Sequence, residues 1–255
     1  MITTRMKPAE ILNEFWKDYK NIIRPRLLSW IRHNSKKFLK SPSKFKDSNG
    51  FVILHDPHPV KTDSGNSYRC RLKVKITKDY IEYIVTTYTV VLDSLSGKNR
   101  VLILPSSENY DYLIILDSHV LQRYNALVLK QPSLDFRALT DEFIRVGNDF
   151  CLQYDPEVRS ELGNSYIEFG RDTYGIATYT EETKAVEIRT FLLGSDLEVW
   201  REELNLPESS NPLEIYLKKK EKNKVFSEII YPDTHSSDLK KRQISEAWEE
   251  YEKHR

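Results

Sequence analysis

Cysteine is almost absent from this chain: 255 residues contain only Cys70 and Cys151, neither in a CxxC or Cys/His cluster. That excludes a disulfide framework and zinc-ligand spacing, and it makes a reducing compartment the natural setting. Also lacking is any run approaching the roughly 18 to 20 apolar residues needed to cross a bilayer. The opening MITTRMKPAEILNEFWKDYK scatters charges where a secretory leader would place an apolar block and small cleavage-site residues. These absences lead to the expectation of a cytoplasmic protein with no membrane partner. No GxGxxG, Walker A, GxSxG or HExxH pattern occurs. Nucleotide-cofactor and serine-hydrolase chemistry therefore lose their support, and no cofactor is expected.

What is present is the composition of a packed globular protein, with 39% apolar residues, 11% aromatics, 15 Tyr and 10 Phe. The net charge of +1 hides an asymmetry. Residues 1–50 carry 12 Lys/Arg against 4 Asp/Glu, a local charge of +8, whereas residues 101–200 carry 8 against 17, a local charge of −9. A basic arm followed by an acidic middle suits an anionic partner such as RNA or single-stranded nucleic acid. It equally suits an arm folded onto its own acidic domain, or a solvated face.

Hydrophobic periodicity divides the chain further. Residues 8–40 read as helix: Ile11, Phe15, Tyr19, Ile22 and Ile23 recur at helical steps, and Leu27, Trp30 and Ile31 continue the stripe. Pro25 lacks a backbone donor and disfavours helix at the residue before it, so a hairpin or a bend is expected there. Residues 41–67 read as a polar loop holding one apolar run, Phe51 to Leu54. From Tyr68 the period becomes two. Tyr68, Cys70, Leu72, Val74 and Ile76 alternate with Arg69, Arg71, Lys73 and Lys75, the pattern of a half-buried strand. Tyr80 to Leu92 pairs with it as a hairpin, and Arg100 to Leu104 and Tyr112 to Leu116 add two strands. Helices follow over His119 to Val128, capped by Asp117 or Ser118, and over Leu139 to Cys151. Tyr166 to Phe169, Gly175 to Thr180 and Ala185 to Phe191 form an antiparallel meander. A short helix is expected at Leu197 to Leu204, and charged helices at Leu213 to Ile230 and Ser236 to Arg255, segments suited to docking on a protein partner. The sum is an α+β protein in three parts: a basic helical segment 1–50, a core 51–205 built on a mainly antiparallel sheet, and a charged helical segment 206–255.

Two places carry candidate chemistry. In Tyr112 to Asn125, YLIILDSHVLQRYN, an apolar strand ends and His119 and Arg123 follow at i and i+4, on one face of a helical turn. The plain reading is a capped helix in which Asp117 holds the imidazole and an acid pairs with the guanidinium. The second place is the strand face bearing Arg69, Arg71, Lys73 and Lys75, spaced roughly 6 to 7 Å apart, with Tyr80, Tyr83 and Tyr88 as stacking platforms for single-stranded bases. Its plain reading is a solvent face. His55 and His58 flank Asp56-Pro57 with no third ligand nearby, so no metal site is expected. Asp141-Glu142 and Glu181-Glu182 read as a helix-start charge and a turn.

The stretch SHVLQRYN, the following helix and the strand ending in VEIRTFL resemble small members of the RelE, colicin and EndoU-like ribonuclease superfamily over roughly residues 110–195. The resemblance implies metal-independent RNA cleavage. His119 would be the general acid or base, Arg123 would hold the phosphate and Thr190 would add a hydroxyl to it. Related motifs continue after Tyr-Asn with a Glu-Arg pair, and here Ala126 and Leu127 stand there. The second cation is missing, which fits a nucleic-acid-directed protein that has lost catalysis. The rival class is a non-enzymatic protein-interaction module. The sequence fixes no oligomeric state.

Overall fold

The computed structural model describes residues 1–3, 5–40, 50–53, 57–77, 79–92, 99–105, 112–146, 151–158, 160–169 and 172–230. It divides into two compact units, Met1–Glu198 and Val199–Arg255. The protein is α+β.

Helix α1 (Pro8–Asp18) passes through a π-helical turn (Tyr19–Ile23) into α2 (Arg24–Leu39) without a break. The π turn is how the chain answers Pro25: the Arg24 N–H donates to the Tyr19 carbonyl five residues back. The widened turn relieves the clash of a proline ring with the preceding carbonyls, and helix resumes. No hairpin forms. Phe15, Ile23, Leu27 and Ile31 are completely buried along this rod. Each contributes about 1.5 to 3 kcal/mol by leaving water.

Among the described residues the sheet contains ten strands: β1 (Val52–Ile53), β2 (His58–Lys61), β3 (Ser67–Ile76), β4 (Ile81–Leu92), β5 (Asn99–Leu104), β6 (Leu113–Asp117), β7 (Cys151–Tyr154), β8 (Ser165–Phe169), β9 (Thr173–Thr180) and β10 (Ala185–Leu193). Their order is β1-β3-β4-β5-β6-β10-β9-β8-β7, with β2 also on β3. Two antiparallel meanders are joined at the centre by a parallel pair, β6 with β10, where Val186 lies opposite Ile114. Helices α3 (Ser118–Tyr124, extended by a π turn to Leu129) and α4 (Phe136–Val146) complete the unit.

Alternation along the strands builds two cores, one on each face. Leu72, Val74, Val85, Leu102, Leu104 and Leu113 pack with α1 and α2. Tyr88, Val101, Ile103, Ile114, Leu116, Val186 and Phe191 pack with α3 and α4. Strands β5 and β6 are covered on both faces, which is why they read as unbroken apolar runs. In the second core Tyr124, Phe143, Phe169 and Phe191 form a cluster with ring centroids 4.8 to 5.8 Å apart. Gly175 makes room for it, since a β-carbon there would lie 2.7 Å from the Phe169 ring.

Three elements differ from the sequence reading. Part of the expected loop 41–67 is strand β2, hidden by Pro57 and Pro59; it tolerates Pro59 because it lies off the main strand path, paired only with β3. Helix α4 starts earlier than Leu139, because Asp135 Oδ1 accepts the Ala138 N–H at 2.7 Å. It also ends sooner, and Cys151 opens strand β7.

Cys70 is fully buried in the first core, where loss of solvent pushes its thiol up to about 12. In a Cys151→Ser background, Cys70 should be inert to a disulfide reagent such as DTNB in the folded protein and react only as fast as the protein unfolds. Stopped-flow absorbance at 412 nm with and without urea checks this.

In the second unit, α5 (Gly194–Glu203), which begins in the first, is followed by α6 (Pro212–Ile230). Asn211 Oδ1 caps α6 through the Glu214 N–H at 2.9 Å. Lys218 pairs with Glu214 one turn away, and Lys219 pairs with Glu203 beside the Trp200 ring. The helix expected at Ser236 to Arg255 lies outside the described residues. No helix among the described residues is long and apolar enough to cross a membrane.

Candidate functional site

His119 and Arg123 sit on α3 as their spacing predicts, both exposed. Asp117 occupies the N-cap position in extended geometry but makes no side-chain cap bond. Its carboxylate accepts instead from Arg100 Nε across the β5–β6 pair at 3.0 Å. His119 therefore has no Asp117 to orient it, and it makes no hydrogen bond among the described residues. Arg123 Nε donates to the Phe191 carbonyl at 3.3 Å. That carbonyl lies on β10 beyond its pairing with β6, which ends at Glu187.

Thr190 does not join them face to face. A bulge interrupts the β9–β10 register between Ile188 and Thr190, and Thr190 pairs with Ile176. Ile188 pairs with Ala177 and Phe191 with Gly175, and Ile188, Phe191 and Ala177 belong to the core under α3 and α4. Pleating then turns Thr190 and Ile176 toward the opposite face. The three residues expected to converge on a phosphate are one solvated imidazole, one guanidinium bound to backbone, and one hydroxyl on the far side of the sheet.

The four cations of β3 share one face, as alternation requires, but that face is not open solvent. Helix α4 lies against its first half. Arg69 donates from Nε to Asp141 Oδ1 at 2.8 Å and from Nη2 to Oδ2 at 2.5 Å. Tyr88 donates to the same Asp141 Oδ1 at 2.6 Å. Arg71 is only 3% exposed, and its Nε and Nη1 have no hydrogen-bond partner. Burial, reinforced by the Arg145 cation, lowers its affinity for its proton. Lys73 and Lys75 stay half-buried, with the Lys75 ammonium 5.6 Å from the Phe51 ring centroid. Of the three tyrosines read as stacking platforms, only Tyr80 is exposed. Tyr83 lies on the α1–α2 side and accepts from Arg24 Nε at 3.1 Å, while Tyr88 is buried under α4, where desolvation and then Asp141 raise its hydroxyl above the ordinary tyrosine range.

The acidic pair Asp141-Glu142, read from sequence as a helix-start charge, thus forms a polar layer inside the fold. Glu142 holds Arg145 through two N–H groups. Beside this layer opens a cavity of about 440 Å³ lined by Ser67, Arg69, Thr89, Val90, Asn99, Asp135, Phe136, Arg137 and Asp141. The signal in the sequence was the acid pair three to four residues into an amphipathic helix opposite an Arg-rich strand, but its meaning depends on a contact 72 residues away.

His55 lies outside the described residues; His58 stands on β2, 4.7 Å from the Trp30 ring, and burial lowers its pKa. No cluster of three or more metal-ligating side chains exists among the described residues.

Over Pro8–Leu39 the basic segment is a continuous helical rod with exposed cations. Lys17, Lys20, Arg26, Arg32, Lys36 and Lys40 are all exposed. None of these six forms an ion pair with a carboxylate among the described residues. The three acids of α1 are occupied elsewhere: Glu10 caps the helix, Glu14 meets the chain's amino terminus, and Asp18 is buried. A concavity of about 400 Å³ lined by Arg24, Pro25, Leu28, Ser29 and Arg32 interrupts the exposed side of α2. Fold and surface together define an α+β protein carrying a cationic helical rod. Compared with known proteins, the chain matches no family model, no curated protein and no solved structure.

Proposed function

We propose that this protein is a nucleic-acid-directed binding module without hydrolytic activity, and that it holds single-stranded RNA or DNA along the solvent side of α1 and α2. The supporting observation is the row of six outward cations that no described carboxylate neutralises, mounted on a rod fixed by Phe15, Ile23, Leu27 and Ile31. From Lys17 to Lys40 the row extends about 35 Å at the helical rise. A solvated cation released from competing ion pairs exchanges its counterion for a phosphate with little desolvation, and Arg32 at the concavity offers a fork of donors. The ribonuclease resemblance supplies the class of ligand; the separation of His119, Arg123 and Thr190 argues against turnover, because acid–base transfer and phosphate binding must act on the same atoms.

The test is fluorescence anisotropy with a labelled single-stranded RNA of about 20 nucleotides in EDTA, with cleavage followed on gels from the same tubes. Four phosphate contacts predict a fall in affinity of about 50-fold between 50 and 200 mM salt. Charge reversal at Lys17, Lys20, Arg32 and Lys36 should abolish binding, while His119→Ala should bind like wild type, with no cleavage by either. Salt-insensitive binding, or full binding by the reversal variant, would overturn the proposal. EDTA-resistant cleavage lost in His119→Ala would instead establish the ribonuclease reading, and an absence of RNA and DNA binding would leave the protein-interaction class.

A further inference from the structure

The cavity at the start of α4, about 440 Å³, has a volume within the range of small-molecule sites. Its lining carries charges of both signs, held in two different ways. Arg69 and Asp141 neutralise each other through a two-point ion pair, which Tyr88 braces, so neither seeks a counter-charge from outside. Asp135 and Arg137 line the same cavity, both exposed, and form no ion pair with each other or with any described residue. Asp135 commits Oδ1 to the Ala138 N–H at the start of the helix, which leaves Oδ2 without a donor among the described residues. The Asn99 side chain, also in the lining, makes no hydrogen bond among them either. The apolar part of the wall is Val90 and Phe136, both packed against the second core. A simple anion in this cavity would meet Asp135, and a simple cation would meet Arg137. A ligand with one charge of each sign on neighbouring atoms and an apolar body suits every group present.

We propose that this cavity is a binding site for a free α-amino acid with an apolar side chain. The carboxylate of the ligand accepts from the planar guanidinium of Arg137, its ammonium donates to Asp135 Oδ2 and to the Asn99 amide oxygen, and its side chain lies against Val90 and Phe136. A free amino acid carries both charges on one Cα, whereas a residue within a peptide carries neither and a peptide terminus carries one. The lining therefore selects the free compound over a peptide. The site lies on the face of the sheet opposite α1 and α2, so it stands or falls independently of the nucleic-acid surface.

Thermal melting of the full chain at neutral pH and matched ionic strength tests it, with L-leucine, L-phenylalanine, glycine, L-leucinamide and N-acetyl-L-leucine as the titrated compounds. Leucine, phenylalanine or both should raise the Tm of the wild type in a graded, saturable way. Leucinamide lacks the carboxylate and N-acetyl-leucine lacks the ammonium, so each should need at least about tenfold higher concentration, the scale of one charge-assisted hydrogen bond. Glycine keeps both charges without the apolar body and should also respond more weakly. Arg137→Ala removes an exposed side chain without partners, and Asp135→Asn keeps an oxygen for the Ala138 N–H while removing the charge. Each should shift the leucine or phenylalanine response by a similar factor. The α1–α2 charge-reversal variant should respond like wild type, and this holds whether or not RNA binding is found. No response to leucine or phenylalanine overturns the proposal. So does an equal response to glycine, to the amide or to the N-acetyl compound, or a response undiminished in both variants. If a variant fails to fold, the comparison of ligands on the wild type decides alone.

Discussion

Asp18→Ala will cost about 3 to 5 kcal/mol of stability, the range for breaking a buried network by removing its charged member. Asp18 is 3% exposed at the C-terminal end of α1. Its Oδ2 accepts from Tyr68 Oη at 2.8 Å, Asn66 Nδ2 at 2.7 Å, Thr62 Oγ1 at 3.3 Å and Ser64 Oγ at 3.4 Å. Asn66 in turn takes the Ile2 N–H at 2.6 Å. One carboxylate thus ties the helical rod to the β2–β3 turn and to the start of the chain. Removing it strands the hydroxyl of Tyr68, which is wholly inaccessible to water. Asp18→Asn keeps an acceptor and should lose only about 1 to 2 kcal/mol. Urea denaturation measures both, and near-equal losses for the two variants would show that the charge matters less than the shape.

The same network sets the alkaline limit. Burial, and then the hydrogen bond to Asp18, raises Tyr68 above its ordinary pKa, and burial with Asp141 does the same to Tyr88. A group whose folded pKa is raised stabilises fully below its unfolded pKa, about 10 for tyrosine, and that contribution disappears as pH climbs beyond it. Stability should therefore fall above about pH 10.

Most strands and helices were legible because their signal is local. The alternation from Tyr68 to Ile76 gave β3 its two faces, and the apolar runs at β5 and β6 read as strands, though not as strands covered on both sides. What lies against a face is a different question, since periodicity says which side chains point together and nothing about the element that comes to meet them. Arg69 and Arg71 were placed on the correct side and misjudged as solvated, because α4 arrives from 72 residues downstream. Thr190 was set beside His119 and Arg123 by resemblance alone, and the bulge between Ile188 and Thr190, which no local pattern marks, turns it to the other face. Asp18 did leave a trace. It falls in the series Ile11, Phe15, Asp18, Ile22, where an acid interrupts an apolar stripe, and a charge on the buried face of an amphipathic helix needs partners waiting for it.

Phe143→Ala should be as damaging, on the other face. The ring is fully buried between Tyr124, Phe169 and Phe191, with centroids at 4.8, 5.4 and 5.8 Å. Truncation leaves a cavity in a cluster that rigid aromatic planes cannot collapse to fill, which places the loss at about 3 to 5 kcal/mol. For a unit of this size that lowers Tm by roughly 6 to 20 °C. The consequence reaches the far side of the sheet. Leu102 and Leu104 belong to the core under α1 and α2, while Val101 and Ile103, on the same strand, belong to the core that holds Phe143. With β5 common to both, neither core can melt without releasing the other. In Phe143→Ala, the RNA binding proposed for the cationic rod should accordingly fail over the same narrow temperature interval as the far-UV circular dichroism signal. Binding that survived past that midpoint would mean that α1 and α2 hold their shape on half a sheet, and that the two cores fold independently.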